Sequence, residues 1–353
     1  MSFKLSRSSK KTNPLKKNFS KKSSSPKPEL YYKKHRTSLK NDTIYNSKAH
    51  SHGNNPQKLD SKKQLSNLQA FQRKTISFHE LPSWLQDNTF IHTGYRLPHQ
   101  SYIFYIKSLG YLHNEFGNIW SHLFGCILFI FLMFSTAFYI LPTIKTLAWA
   151  DVLVIYCFLA GAVACLLFSS LYHTFLCHSE SVGMAFNICD YIGIVSLIVG
   201  SCVPLIYYAF HCHNFFKILY ISIIVFFGFV TILFSVKPVF STPPWRPFRA
   251  LTFVFMAFSG AIPAIHSFYF YGYEHTVNAL QIVYTTPMVL FYLFGAIIYG
   301  SRVPERWFPG KFDIWFHSHQ IFHYFVVTAA YFHYFSVINS LKWLHTQTPR
   351  CFS

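Results

Sequence analysis

The chain has 353 residues, of which 52% are apolar, 20% aromatic and only 12% charged. That balance excludes an ordinary soluble globular domain and points to a polytopic membrane protein. The formal net charge of +19 is unevenly spread, since 21 of the 31 lysines and arginines fall in the first 110 residues.

The N-terminal stretch opens without an apolar signal segment and is rich in Lys, Ser and Asn. Residues 1 to about 68 are expected to stay disordered, because they cannot bury enough apolar surface to offset the entropy of ordering. With a membrane domain attached, anionic lipid is the expected neighbour of this basic run, and nucleic acid is not. Residues 79–98 carry Leu81, Trp84, Leu85 and Phe90 in an amphipathic pattern. The segment reads as a helix lying along the membrane interface, or as one packed on the cytosolic end of the bundle.

Runs of about 20 apolar residues, long enough to cross a hydrocarbon core of roughly 30 Å, lie near 118–140, 152–173, 188–209, 215–235, 249–271, 281–300 and 317–338. The fold class is therefore an all-α membrane protein with seven transmembrane helices. Pro204, Pro263 and Pro287 interrupt apolar stretches; such prolines kink a membrane helix more often than they end it. With the tail inside, basic residues divide 27 against 4 between the two sides, and without the long tail, which the positive-inside rule discounts, the loops and ends still give 6 against 4; both counts favour an N-terminus in the cytosol. Four segments follow: a basic tail at 1–70, an interfacial segment at 71–114, the membrane domain at 115–340 and a short non-cytosolic C-terminus at 341–353. The eight cysteines form no closely spaced framework. A single bridge between Cys212 and Cys351, both on the predicted non-cytosolic side, is left open without a spacing rule to support it.

Four polar signals in separate spans share one end of this bundle: Glu115-x-x-Asn118-x-x-x-His122, Ser169-x-x-x-His173, Asp190, and His319-x-x-x-His323. The first, third and seventh helices start on the tail side and the second ends there, so one pocket in the cytosolic half can hold them all. Polar groups are costly in hydrocarbon, and several at one depth indicate a functional site. Histidines at i and i+4 project from one helix face toward a single ion, and a third from a neighbouring helix completes the three-nitrogen set of catalytic zinc sites. Such a set leaves the ion its full charge and an open position for an ionisable water. Asp190 fits as a fourth ligand, as a base, or as an acceptor for a ligand imidazole.

An isolated intramembrane histidine more often hydrogen-bonds a neighbouring helix than binds metal. His122, with Glu115 and Asn118, reads as such a helix cross-link. Ser169 reads as a hydrogen-bond donor beside the site, since the histidine that would activate it as a nucleophile is already committed. His178, His211, His213, His275 and His317 fall at loops or helix ends and are expected to be solvated, while His333 has no assigned role.

The segments ELPSWLQDN (80–88), HNEFGNIWSHLFG (113–125), FSSLYHTFLCHSE (168–180), DYIGI (190–194) and VPERWFPGKFDIWFHSHQIFHYFVV (303–327) resemble the progestin and adipoQ receptor family. That family includes adiponectin receptors, fungal zinc-homeostasis membrane proteins and bacterial hemolysin-III relatives. The match runs from about Glu80 to His333 and is nearest to the fungal branch; Phe116 and Gly117 depart from many relatives, and the tail matches none. The resemblance implies Zn2+ held by His173, His319 and His323, Asp190 near the water and Ser169 close by. It also implies seven helices with the N-terminus inside.

The resemblance further implies hydrolysis of a lipid amide, with a ceramide-like substrate among the helices. A second expectation is a receptor-like protein with structural zinc and a signalling partner, coupled to zinc or lipid homeostasis. A pore is disfavoured because the polar groups stop near one face. A retinal protein is disfavoured because residues 317–338 hold no Lys for a Schiff base. The home membrane is expected to be the endoplasmic reticulum or the plasma membrane.

Overall fold

In the computed structural model, residues 74–237 and 245–347 are described; the basic tail at 1–70, Arg350 and Cys351 lie outside them. Seven helices are long and apolar enough to cross a membrane: Phe116–Thr143, Trp149–Phe175, Glu180–Ala209, Asn214–Ser235, Leu251–Tyr271, Ile282–Ser301 and Ser318–Thr346. They are the seven expected spans, with two instructive differences at the edges.

The third helix starts at Glu180, well before its apolar window, because the Ser179 hydroxyl accepts the Val182 N–H and caps it. Glu180 in that first turn adds a favourable charge at the positive end of the helix dipole. The seventh helix runs on to Thr346. Pro204 and Pro287 sit inside continuous helices. Pro263 behaves differently: it offers no N–H to the carbonyl of Ser259, and the fifth span breaks at Gly260 into Arg246–Ser259 and Ala261–Tyr271.

The second, third and seventh spans form the interior, being 50%, 56% and 50% buried over their apolar windows, against 22%, 17% and 11% for the fourth to sixth. Hydrocarbon gives helices no hydrophobic reason to associate, so close approach of backbones supplies much of the contact energy. Between the second and third spans that approach depends on three glycines. A Cβ at Gly161 would lie 2.4 Å from the Ser196 carbonyl oxygen, one at Gly200 2.7 Å from that of Cys157, and one at Gly193 2.8 Å from the Cα of Cys165. Around this seam Phe129, Ile155, Phe158, Leu159, Leu166 and Leu341 pack as one core.

The segment expected to be an interfacial helix at 79–98 is not one. Pro82 removes a helical donor and disfavours the α conformation at Leu81, and the chain makes 3-10 turns at Phe78–Glu80 and Ser83–Leu85. Strand β1 (Thr75–Ile76) pairs antiparallel with β2 (Tyr95–Arg96), closing a small cap whose core is Phe78, Leu81, Ile91 and Tyr95. Leu81 is thus a core residue and no membrane anchor. A short helix lies further on, α1 (Tyr102–Ser108), which turns Tyr105 inward and exposes Tyr102, Ile103 and Ile106.

Two buried carboxylates tie this cap to the loop before the seventh span. Asp313 accepts the backbone N–H groups of His92 (2.9 Å) and Thr93 (2.8 Å) and the Thr93 hydroxyl (2.7 Å). Glu305 accepts the Asn88 amide at 3.2 Å. Cys126, Cys157, Cys165, Cys177, Cys189 and Cys202 are free thiols, whereas Cys212 is disulfide-bonded.

Gly161→Leu should force the second and third helices apart and lower stability by about 1–3 kcal/mol, the range for overpacking a tight interior. Thermal unfolding of the detergent-solubilised chain, compared with Leu placed at the lipid-facing position Phe131, measures it.

Candidate metal centre

The site forms where three helix ends meet. His173 lies in the last turn of the second span, where carbonyls run out of intrahelical donors. Arg96, fully buried, supplies them: its guanidinium donates to the carbonyls of His173 (2.5 Å) and Thr174 (2.9 Å) and to the Ser108 hydroxyl (3.0 Å). A cation at the negative end of a helix dipole is favourably placed, and here it fixes the backbone that carries His173.

The start of the seventh span is held as firmly. Glu305 accepts the Ser318 N–H (2.7 Å) and hydroxyl (2.5 Å), a carboxylate at the positive helix end. Gln320 accepts the Phe316 N–H at 2.8 Å and donates to the Ile314 carbonyl at 2.7 Å. It fills the space beside Gly117, where a Cβ would lie 2.6 Å from its amide carbon. His319 and His323, one turn apart on this anchored helix, face His173.

The three rings converge. His319 Nε2 lies 3.1 Å from His173 Nε2, and one ligand nitrogen from each of His173, His319 and His323 falls within 4.8 Å of the others. The outer nitrogens of two rings are already engaged. His173 Nδ1 meets the Glu115 carboxylate at 2.8 Å, and His323 Nδ1 meets the Asn118 carbonyl at 3.1 Å. Both partners are acceptors, so both Nδ1 atoms carry the proton and both Nε2 lone pairs point inward. Two imidazole nitrogens bound to one tetrahedral zinc at about 2.0–2.1 Å would be roughly 3.3 Å apart, close to the separation found. Orientation of ligand rings by outer hydrogen bonds is what a metal site requires. The residues present fit a divalent cation.

Glu115 is the residue whose role the sequence reading missed. The motif around it was visible, but Glu115 and Asn118 serve as acceptors for ligand histidines, and Asn118 Nδ2 also donates to Glu115 at 2.6 Å. His122 is no hydrogen-bonded cross-link with them. It stacks face to face on His323, with ring centroids 3.6 Å apart and planes 7° from parallel. Asp190 lies well inside the third helix, where it interacts with the Ser169 hydroxyl and electrostatically with His173. Ser169 is buried one turn before His173.

Burial alone would raise the Glu115 carboxyl, but hydrogen bonds from His173 and Asn118 outweigh it and hold the group well below the usual carboxylate range. His113 accepts the Glu115 N–H on Nδ1 at 3.1 Å, which requires a neutral ring; burial, with the Arg96 charge nearby, pushes it down to about 3. His317, expected to be solvated, is enclosed and bonded to the Asn114 carbonyl at 3.1 Å, and burial lowers it too.

The geometry defines the class: a seven-helix membrane protein with a three-histidine group at one end of the bundle. Residues 110–334 match the haemolysin-III related family, and the chain belongs to that family. It is 43% identical over 266 residues to an adiponectin receptor protein of Drosophila melanogaster, covering 75% of this chain and 59% of the relative. It is 42% identical over 264 residues to progestin and adipoQ receptor-like protein 1 of Caenorhabditis elegans, covering 75% and 60%. With the ADIPOR-like receptor IZH2 of Saccharomyces cerevisiae identity is 40% over 276 residues, covering 77% and 86%. The match thus spans about 60% of the length of the two animal relatives.

Two outcomes follow from the site. Glu115→Gln should keep the fold but weaken metal binding by about 10–100-fold, read by competition with a calibrated chelator. The lowered His113 value means that the unfolded chain binds more protons between about pH 6.5 and 3. Stability from this group is therefore present above that window and lost as pH falls through it, at up to about 1.4 kcal/mol per pH unit. His113→Asn, which keeps an acceptor for the Glu115 N–H, should flatten the dependence of melting temperature on pH between 7 and 5.

Proposed function

We infer that the chain is a zinc-dependent hydrolase of lipid amides, with a ceramide-like substrate. The observation that carries this reading is the inward direction of the histidine lone pairs, fixed by Glu115 and Asn118, beside a carboxylate and a hydroxyl at the same depth. Zinc held by three neutral imidazoles supplies a Lewis acid with an open coordination position, which polarises an acyl carbonyl and acidifies water.

The protein's own residues do the rest. Asp190 accepts the proton released as water adds to the amide carbon, and later returns it to the departing amine nitrogen. Ser169, which interacts with Asp190 in the structure, donates its one hydroxyl proton to that carboxylate and keeps it oriented; once Asp190 is protonated, the same hydroxyl is free to turn toward the oxygen that gains charge. Glu115 keeps His173 in one tautomer throughout. The substrate's acyl chain would lie among the helices, so it need not leave the bilayer to react.

With the long tail set aside, the basic residues of the loops and ends divide 6 to 4 between the two sides, which supports a cytosolic N-terminus and a zinc site in the cytosolic half. The same reading places the protein in the endoplasmic reticulum or plasma membrane, with a role in lipid and zinc homeostasis. The names of the relatives favour a second reading, a receptor-like protein with structural zinc and a signalling partner.

Zinc content and fatty-acid release from a ceramide separate the two. Under the hydrolase reading Asp190→Asn retains stoichiometric zinc and loses at least about a hundredfold in rate, the lower range for a general base; under the receptor reading wild type releases no fatty acid. Undiminished release by the His319→Ala, His323→Ala protein would overturn the hydrolase reading.

A further inference from the structure

The loop between the sixth and seventh spans sorts its side chains by charge. Its two acids, Glu305 and Asp313, point inward and are buried against the N-terminal cap. Arg302 is paired with Asp87 at 3.3 Å. What remains outside is a run of exposed residues from Arg306 through Lys311, followed by Trp315 and Phe316, also exposed. The loop's own outer face is therefore cationic and aromatic, and the exposed acid beside it, Asp87 of the cap, is taken up by Arg302.

This face is built rigidly. Lys311 N–H bonds the Phe308 carbonyl at 3.2 Å across Pro309 and Gly310, and Gly310 has φ +77°, the signature of a type II turn with proline and glycine in their required places. Gly310 N–H also bonds the Phe90 carbonyl at 3.0 Å, and a Cβ on Gly310 would lie 2.9 Å from the His92 ring. The tip is clamped to the cap, with Trp307 at 68% exposure and the Lys311 ammonium 5.4 Å from the centre of the Phe308 ring. Among the described residues, nothing packs over Trp307, Arg306 or Lys311 to explain so ordered a display.

We propose that this tip is a binding surface for anionic phospholipid headgroups in the leaflet at the metal-site end of the bundle. The sixth span ends at Ser301 and the seventh starts at Ser318, which puts the tip at headgroup level. Indole rings settle in that layer, and Arg306 and Lys311 meet the phosphates and carboxylates of acidic lipids. Each such basic residue is worth roughly fivefold in local enrichment of anionic lipid. The proposal is independent of what the metal centre does.

The test uses the full-length protein in nanodiscs of mixed phosphatidylcholine and phosphatidylserine, in which one or the other lipid carries brominated acyl chains at equal mole fraction. Bromine quenches tryptophan on contact, and the difference between wild type and Trp307→Phe isolates Trp307 from the other indoles. Brominated phosphatidylserine should quench Trp307 at least about twice as strongly as brominated phosphatidylcholine. In the Arg306→Gln, Lys311→Gln protein the ratio should fall to one while quenching by phosphatidylcholine persists. Equal quenching in wild type would reduce the tip to an ordinary interfacial aromatic and overturn the proposal. An unchanged serine-lipid excess in the double variant would assign the attraction to the basic tail, and absence of quenching by either lipid would mean that water or protein covers the tip; each overturns it as well.

Discussion

The hydrogen bond from His173 Nδ1 to the Glu115 carboxylate, 2.8 Å long, is the contact on which the arrangement of the near end depends. An imidazole in a membrane interior has two nitrogens to satisfy and little water to satisfy them. Giving one nitrogen an acceptor fixes the tautomer and leaves the other a bare lone pair, and the inward lone pairs of His173 and His323, with His319 Nε2 beside them, make an uncompensated negative focus. That focus is unfavourable by itself and becomes favourable around a cation. The same bond joins the beginning of the first span to the end of the second, so local chemistry and helix packing are set by one interaction.

The rest of the near end serves to hold backbones still. Arg96 binds the carbonyls at the end of the second span, Glu305 binds the first N–H of the seventh, and Gln320 bridges to the loop before it. None of these residues belongs to the histidine group itself. Each removes a freedom that would let His173 or His319 drift from the point their nitrogens share. A buried arginine whose hydrogen-bond partners are a hydroxyl and carbonyls is otherwise hard to justify, since desolvating a guanidinium is costly. The helix dipole and two unsatisfied carbonyls together offset that cost.

Much of this was legible in the sequence, and the limits have physical causes. The seven spans follow from apolar length alone, because hydrocarbon thickness fixes helix length. The i,i+4 pair His319 and His323 and its convergence with His173 follow from helix geometry and span parity. Helix ends were less legible, since Ser179 caps the third helix in polar surroundings that hydropathy does not see. The cap at 74–96 was misread because its apolar residues close a core among themselves; Leu81 is buried against Phe78 and Tyr95, which spacing cannot distinguish from a membrane-facing stripe. The roles of Glu115 and His122 were not deducible, because a face shared at i, i+3 and i+7 says which residues are neighbours and not which neighbour accepts a proton.

The far end of the bundle is built on a different principle. There Asp151 accepts the Ala148 N–H at 2.9 Å and pairs with His345 at 3.1 Å, while the other His345 nitrogen meets the Thr146 hydroxyl at 2.7 Å. Carboxylate, imidazole and hydroxyl bond one another in a line, and both nitrogens of the His345 ring are engaged. At the near end the carboxylate is bonded to the outer nitrogen, and the inner nitrogens of three rings face a common point. A carboxylate–imidazole pair thus gives a closed structural tie in one place and an open set of nitrogens in the other, and the distinction lies in whether the second ring nitrogen already has a partner. A buried His–acid pair in a membrane helix bundle is therefore informative only once the partner of its second nitrogen is known.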